Sequence, residues 1–219
     1  MTTFPGSPRL LKGGLVLLKP QTNDPQRIIV LQYNPHTLTR TLQAQSVGEN
    51  AARSEALRLT GPPQETIKLE AEIDAADQME FPNQHPNVVE HGIYPHLAAL
   101  ETILYPTSQQ LNRNNTLAQL GTLEITPMEA PLTLFIWSKK RILPVRITEF
   151  SVTEEAFDPN LNPLRAKVSL GMRVLNVNDL GFDHRGGNIY MKYQQQLESL
   201  TRLYAGGTDT SIFGIGGIP

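Results

Sequence analysis

Apolar and polar residues alternate most strictly over residues 66–74, where Ile67, Leu69, Ala71 and Ile73 fall on one side and Thr66, Lys68, Glu70, Glu72 and Asp74 on the other. A period of two belongs to a strand with one face in a core and one in water. Two further alternating runs, between Val145 and Val174, flank the turn formers Asp158-Pro159-Asn160-Leu161-Asn162-Pro163. The unit predicted there is a long antiparallel hairpin. In its second arm Ala166, Val168, Leu170, Met172 and Val174 share a face, opposite Arg165, Lys167, Ser169 and Arg173. The first arm changes phase, because Val145 and Ile147 are odd-numbered while Phe150 and Val152 are even. That shift predicts a β-bulge near Thr148 and Glu149.

Other runs are apolar on both faces: residues 14–19, ended by Pro20; residues 27–33, ended by Asn34-Pro35; and residues 132–137. Such strands need cover on both sides, from a second layer or from another subunit. Two stretches have helical spacing. One starts at Pro95, repeats Leu97, Leu100, Ile103 and Leu104, and stops at Pro106. The other covers residues 188–204, with Ile189, Tyr193, Leu197, Leu200 and Tyr204 as its expected buried stripe and Gly206-Gly207 as its stop. Residues 44–63 and the Asn/Gln-rich residues 107–121 read as loops. The expected fold is mainly β, a barrel or sandwich with two peripheral α-helices. It divides into a β domain (residues 1–178), a C-terminal helix (179–204) and a Gly-rich tail (205–219) carrying Ile212, Phe213, Ile215 and Ile218.

Composition narrows the chemistry. A chain of 219 residues suits one full-sized domain. Its net charge of −2 supplies no field for gripping a phosphate backbone, so no nucleic-acid partner is expected. Without cysteine there is no disulfide, thiolate metal site or cysteine nucleophile. The run Leu15-Val16-Leu17-Leu18 is far too short to span a bilayer, which predicts a cytoplasmic protein without direct membrane insertion. His85, Glu90, His91 and His96 cluster in sequence, but their spacing aligns on no single helix face and lacks the HExxH order, so a polar loop before a helix is expected. No Gly-x-Ser-x-Gly elbow or phosphate loop occurs, and Glu70/Glu72 and Glu154/Glu155 sit on solvated strand faces or at adjacent positions. The expectation is a protein that is no enzyme and holds no cofactor or metal.

Four stretches resemble, in order, the tube proteins and baseplate hub adaptors of contractile injection systems, the phage-tail-like particles that drive an inner tube through a target membrane. They are Leu31-Gln32-Tyr33-Asn34-Pro35 with the strands before it; Leu57-Arg58-Leu59-Thr60-Gly61-Pro62-Pro63-Gln64-Glu65-Thr66-Ile67 continuing to Ile73-Asp74-Ala75; Gly92-Ile93-Tyr94-Pro95 running to Leu104; and Phe157-Asp158-Pro159-Asn160-Leu161-Asn162-Pro163-Leu164-Arg165-Ala166. Together they span residues from about 10 to 176. The resemblance implies a tail-tube-like protomer, six of which form a ring where the inner tube meets the baseplate hub and spike, as a tube initiator or adaptor. Its partners would be other copies of itself and the tube, hub, spike and baseplate proteins of the same particle. The LysM-like module that some relatives carry after this domain is not expected here, because a helix and a Gly-rich tail follow instead.

Strands that are apolar on both faces also favour neighbouring subunits as cover, and closing a ring removes exposed sheet edges. The acidic face of residues 66–74 and the basic face of residues 165–173 would set register, within or between subunits. The candidate inter-subunit contacts are therefore Lys68, Glu70, Glu72, Arg165, Lys167 and Arg173, with Ile212 and Phe213 of the tail. The competing class is a monomeric β-sandwich module that binds a carbohydrate or small apolar ligand.

Overall fold

The computed structural model describes residues 11–20, 22, 24–46, 58–120, 130–204 and 206. In chain order it contains β1 (Gly14–Leu18), β2 (Pro25–Val30), β3 (Leu38–Ser46), β4 (Leu59–Asp74), α1 (Ala76–Met79), α2 (Pro86–His91), α3 (Tyr94–Glu101), α4 (Ser108–Gln119), β5 (Leu132–Ser138), β6 (Arg141–Phe157), β7 (Pro163–Val174), α5 (Val177–Leu180) and α6 (Arg185–Thr201). The protein is mainly β, as the alternation predicts. The seven strands of the described residues form one antiparallel sheet in the order β2-β1-β5-β6-β7-β4-β3. The end strands β2 and β3 do not pair with each other, so the sheet is open and layered rather than closed into a barrel.

Cross-strand register builds the core. Ile67, Met172 and Ile147 lie in one row, Leu69, Leu170 and Phe150 in the next, then Ala71, Val168 and Val152. Val88 of α2, Ile93, Leu97 and Leu100 of the α3 region, and Tyr190 and Tyr193 of α6 join the same buried cluster. The bulge falls where the phase change predicts it: Ile147 faces Met172 and Glu149 faces Gly171, leaving Thr148 as the extra residue. Gly171 is required at that point, because a Cβ there would meet the Glu149 Cβ at 2.8 Å.

The hairpin turn is held by Asp158, whose Oδ1 accepts from the Asn160 and Asn162 backbone N–H groups, each at 2.8 Å, while its Oδ2 accepts from the Asn162 side chain at 2.8 Å. These bonds, the Asn162 side chain first, hold the Asp158 carboxyl below its usual range. The tip docks on other elements. Pro163 O accepts from Ile93 N, Leu164 O accepts from Ala75 N, and Asn162 Nδ2 donates to Glu90 O. Gly92, between α2 and α3, has φ +58° and lies so close that an added Cβ would strike the Pro163 carbonyl oxygen.

Several features differ from the sequence expectation, among them the polar loop expected around His85 and His91, which is helix α2. Residues expected as a loop over 107–121 include helix α4, started by a capping box in which Thr107 and Gln110 satisfy each other's backbone N–H groups. None of its residues is buried, which is why no apolar stripe announced it. The other expected loop contains β3's last residues and the first part of β4, where Pro62 and Pro63 are tolerated because β7 pairs only from Thr66 onward and the β3 ladder shifts register nearby. Helix α6 buries Tyr190 and Tyr193 with Gly186 and Gly187. Of the expected stripe, Ile189 is half-buried, and Leu197, Leu200 and Tyr204 are exposed, so the helix outruns its cover after Tyr193.

Two outcomes follow for stability, both measured by chemical denaturation. Leu170→Ala should cost about 2–5 kcal/mol, because it empties a packed site, whereas Lys167→Ala, at a half-exposed position, should stay within about 0.5 kcal/mol. Equal losses would contradict the register. Gly92→Ala should cost at least about 1–3 kcal/mol through backbone strain alone, and an unchanged midpoint would show that the hairpin tip does not bear on this turn.

Candidate assembly surface

The four stretches that carry the family resemblance meet at one corner of the molecule. Gln32, from the first, donates through Nε2 to Asp74 O at 2.7 Å and accepts from Asp74 N at 2.9 Å. Asp74, from the second, accepts from Arg165 Nε of the fourth at 2.7 Å. Ile93 of the third donates to Pro163 O of the fourth at 2.9 Å. Segments as far apart in the chain as Asp74 and Arg165 are thus joined by backbone and short side-chain hydrogen bonds, a reason for these residue types to occur together.

The sheet ends differ in chemistry. Among the described residues β2 pairs only with β1, and Ile28 is 62% and Val30 55% exposed. Ile29, of opposite phase, packs against the core, and Arg27 Nη1 ties the strand to α3 through Ala99 O and Thr102 Oγ1. Cover on both sides was expected for this run as for β1 and β5. It holds for those two, where Leu15, Leu17, Leu18, Leu134 and Phe135 are buried, but β2 is an edge strand and lacks it. At the other end, among the described residues, β3 pairs only with β4.

The charged candidates lie on the strand face opposite the core, and each cation has a partner in the same protomer. Lys68 reaches across Gly171 to Glu149 at 2.7 Å, Arg165 pairs with Asp74 at 2.7 Å, Lys167 with Glu155 at 3.6 Å and Arg173 with Asp179 at 2.6 Å. Glu70 and Glu72 stand in register with Ser169 and Lys167. The acidic face of β4 and the basic face of β7 are therefore neighbours in one sheet. Exposed pairs of this kind contribute about 0–1 kcal/mol each and act mainly on register. Ile212 and Phe213 lie outside the described residues.

One polar group escaped the sequence reading. Glu65 is 4% exposed, and its Oε1 accepts from Arg40 Nε at 2.6 Å, while Arg40 Nη2 donates to the Tyr193 hydroxyl at 2.7 Å. The Glu65 hydrogen bond raises the Arg40 pKa, and burial first, then the Glu65 charge, raises those of Tyr190 and Tyr193. A signal for it existed: Glu65 occupies the same odd-numbered phase as Ile67, Leu69 and Ala71.

His85 is the N-cap residue of α2, and His91 and His96 are exposed. Among the described residues no group of three or more His, Asp or Glu is placed to hold a metal. His184 caps α6 by accepting from Gly186 N through Nδ1 at 3.1 Å, and Gly181 ends α5 with φ +77°, so the segment between them is a helix-to-helix turn. A cleft of about 640 Å³ is lined by Leu132, Val145, Leu175 and Leu180 together with Arg146 and Asp179. None of the described helices is long and apolar enough to cross a membrane.

No protein-family model and no curated protein matches the chain. Among solved structures, a chain in the tail of an empty gene transfer agent (GTA) particle with C6 symmetry is 11% identical, with 74% of this chain and 90% of that chain covered, at a TM-score of 0.28. A chain in the virion of a native gene transfer agent particle is 12% identical over the same shares, at 0.25. Scores of this size do not establish a shared fold.

Proposed function

We propose that this protein is a structural, non-catalytic component of a phage-tail-like contractile particle. Copies of it join edge to edge into a six-membered ring that serves as tube initiator or adaptor between the inner tube and the baseplate hub and spike. The observation that carries this reading is the open sheet, whose end strands β2 and β3 each have one strand partner among the described residues and differ in chemistry. An apolar edge strand with unpaired N–H and C=O groups is a template for pairing and an aggregation hazard unless something covers it. Unlike edges favour a head-to-tail contact, in which β2 of one copy meets β3 of the next, and a head-to-tail contact that closes is a ring. The resemblance of the four corner-forming stretches to tube and hub adaptor proteins supplies the kind of particle. Lys68, Arg165, Lys167 and Arg173, each paired within the protomer, would present with Glu70 and Glu72 an ordered charged face to the ring's interior or to the adjoining layer.

The cleft of about 640 Å³ favours a second reading, a monomeric ligand-binding module, since its volume falls within the range of small-molecule sites. Mass separates the two: six protomers of 24.3 kDa weigh 145.8 kDa.

Replacing Ile28 and Val30 together by Lys tests the edge. Both side chains are more than half exposed, so the monomer should keep its stability within about 1 kcal/mol. The 145.8 kDa species, measured by native mass spectrometry of assembling particles, should disappear. Normal ring formation by the doubly substituted protein would exclude β2 as the joining edge.

The tail tests the contact with neighbouring layers. Ile212, Phe213, Ile215 and Ile218 gain from burial at about 25 cal/mol per Å² of apolar surface, set against the entropy of ordering a Gly-rich segment. A groove on a partner would tip that balance. Deleting residues 206–219 should leave the protomer's melting temperature nearly unchanged and lower its incorporation into baseplates, and full incorporation of the truncated protein would remove the tail from the assembly surface.

A further inference from the structure

We infer that the contact Arg40–Glu65–Tyr193 is a latch that makes the hold on edge strand β3 depend on the docking of helix α6. Three elements meet there: Arg40 belongs to β3, Glu65 to β4 and Tyr193 to α6. A buried carboxylate is costly unless it is paired and shielded. Arg40 supplies the pair at 2.6 Å, and the Tyr193 hydroxyl accepts the other end of the guanidinium at 2.7 Å. Tyr190 and Tyr193 are the large buried side chains of α6, their rings 6.5 Å apart.

Strand β3 has few other anchors. It is bonded to one neighbour, its ladder shifts register between Gln43 and Ser46, Leu38 is only partly buried and Leu42 is exposed. Beyond the ladder, Arg40 is, among the described residues, the β3 side chain that hydrogen-bonds to a second element. Helix α6 is also lightly held at this end, since Leu197 and Leu200, one and two turns further on, are exposed. If α6 lifts, Arg40 loses an acceptor, water reaches Glu65, and the pair falls to the small value of a surface ion pair. Linkage makes the effect reciprocal: whatever holds β3 in register favours docked α6. That this would couple β3 as a ring edge to the state of α6 rests on the ring proposal above.

Hydrogen exchange on the full chain reads the latch in the protomer itself. Tyr193→Phe keeps the ring and removes the acceptor. Exchange of the β3 amides bonded to β4 should quicken about tenfold, while amides of the β6–β7 hairpin keep their rates. In a background where Arg40 and Glu65 are both replaced by Leu, an apolar pair with no need of Tyr193, the same Tyr193→Phe change should leave β3 exchange unaltered. Unchanged β3 exchange in Tyr193→Phe alone, or acceleration of β3 and the hairpin by the same factor, overturns the latch. If β3 loosens as expected and ring formation is nevertheless normal, the latch stands and β3 is not the ring edge.

Discussion

The corner where the β6–β7 hairpin tip meets the turn between α2 and α3 is the constraint on which the rest of the molecule depends. Asp158 shapes the tip, and Pro163 and Leu164 then offer their carbonyls to Ile93 and Ala75. Those two bonds place the end of β4 and the start of α3 relative to the longest hairpin in the sheet. Gln32 adds the chain leaving β2 through its paired bonds with Asp74. Backbone groups buried in a corner need partners, and here each of these segments satisfies another. Gly92 permits the approach because any side chain there would occupy the space of a carbonyl it must leave free.

From that corner the sheet extends in two directions with different endings. Toward β2 it runs through strands buried on both faces and ends in exposed Ile28 and Val30. Toward β3 it runs through strands with one charged, wet face and ends at a strand tied down by an arginine. The bulge at Thr148 and the missing side chain at Gly171 let Lys68 and Glu149 meet across the intervening strand. An irregularity in β6 thereby contributes to an ion pair between strands that are not neighbours. The result is a protomer with polarity along its sheet, which suits repeated head-to-tail joining better than a two-fold contact of like with like.

Much of this was legible in the residues themselves. Alternation in β4 and β7 identified their buried faces, the phase change located the bulge, and the Asp-Pro-Asn cluster located the turn. Each is a local property, read within one strand or one turn. Helix α4 was hidden because its signal is a cap rather than a stripe, and β3 because an edge strand with polar residues on both faces has no period to show. The stripe assigned to α6 was right in period and wrong in extent, since helical spacing marks which residues share a face without saying how far the cover reaches.

By itself, then, the sequence determined which faces of the long strands are apolar, where they bend and turn, and which chemistries the absence of cysteine removes. Only the tertiary structure decided that β4 and β7 lie side by side so that Asp74 and Arg165 pair within one chain, that β2 is left at an edge, and that buried Glu65 is paired with an arginine which also holds Tyr193. The physical reason is range. Periodicity and turn chemistry are set by sterics and hydrogen bonds among near neighbours, whereas strand order and the fate of a buried charge depend on residues as far apart as Arg40 and Tyr193, brought together only when the whole sheet has formed.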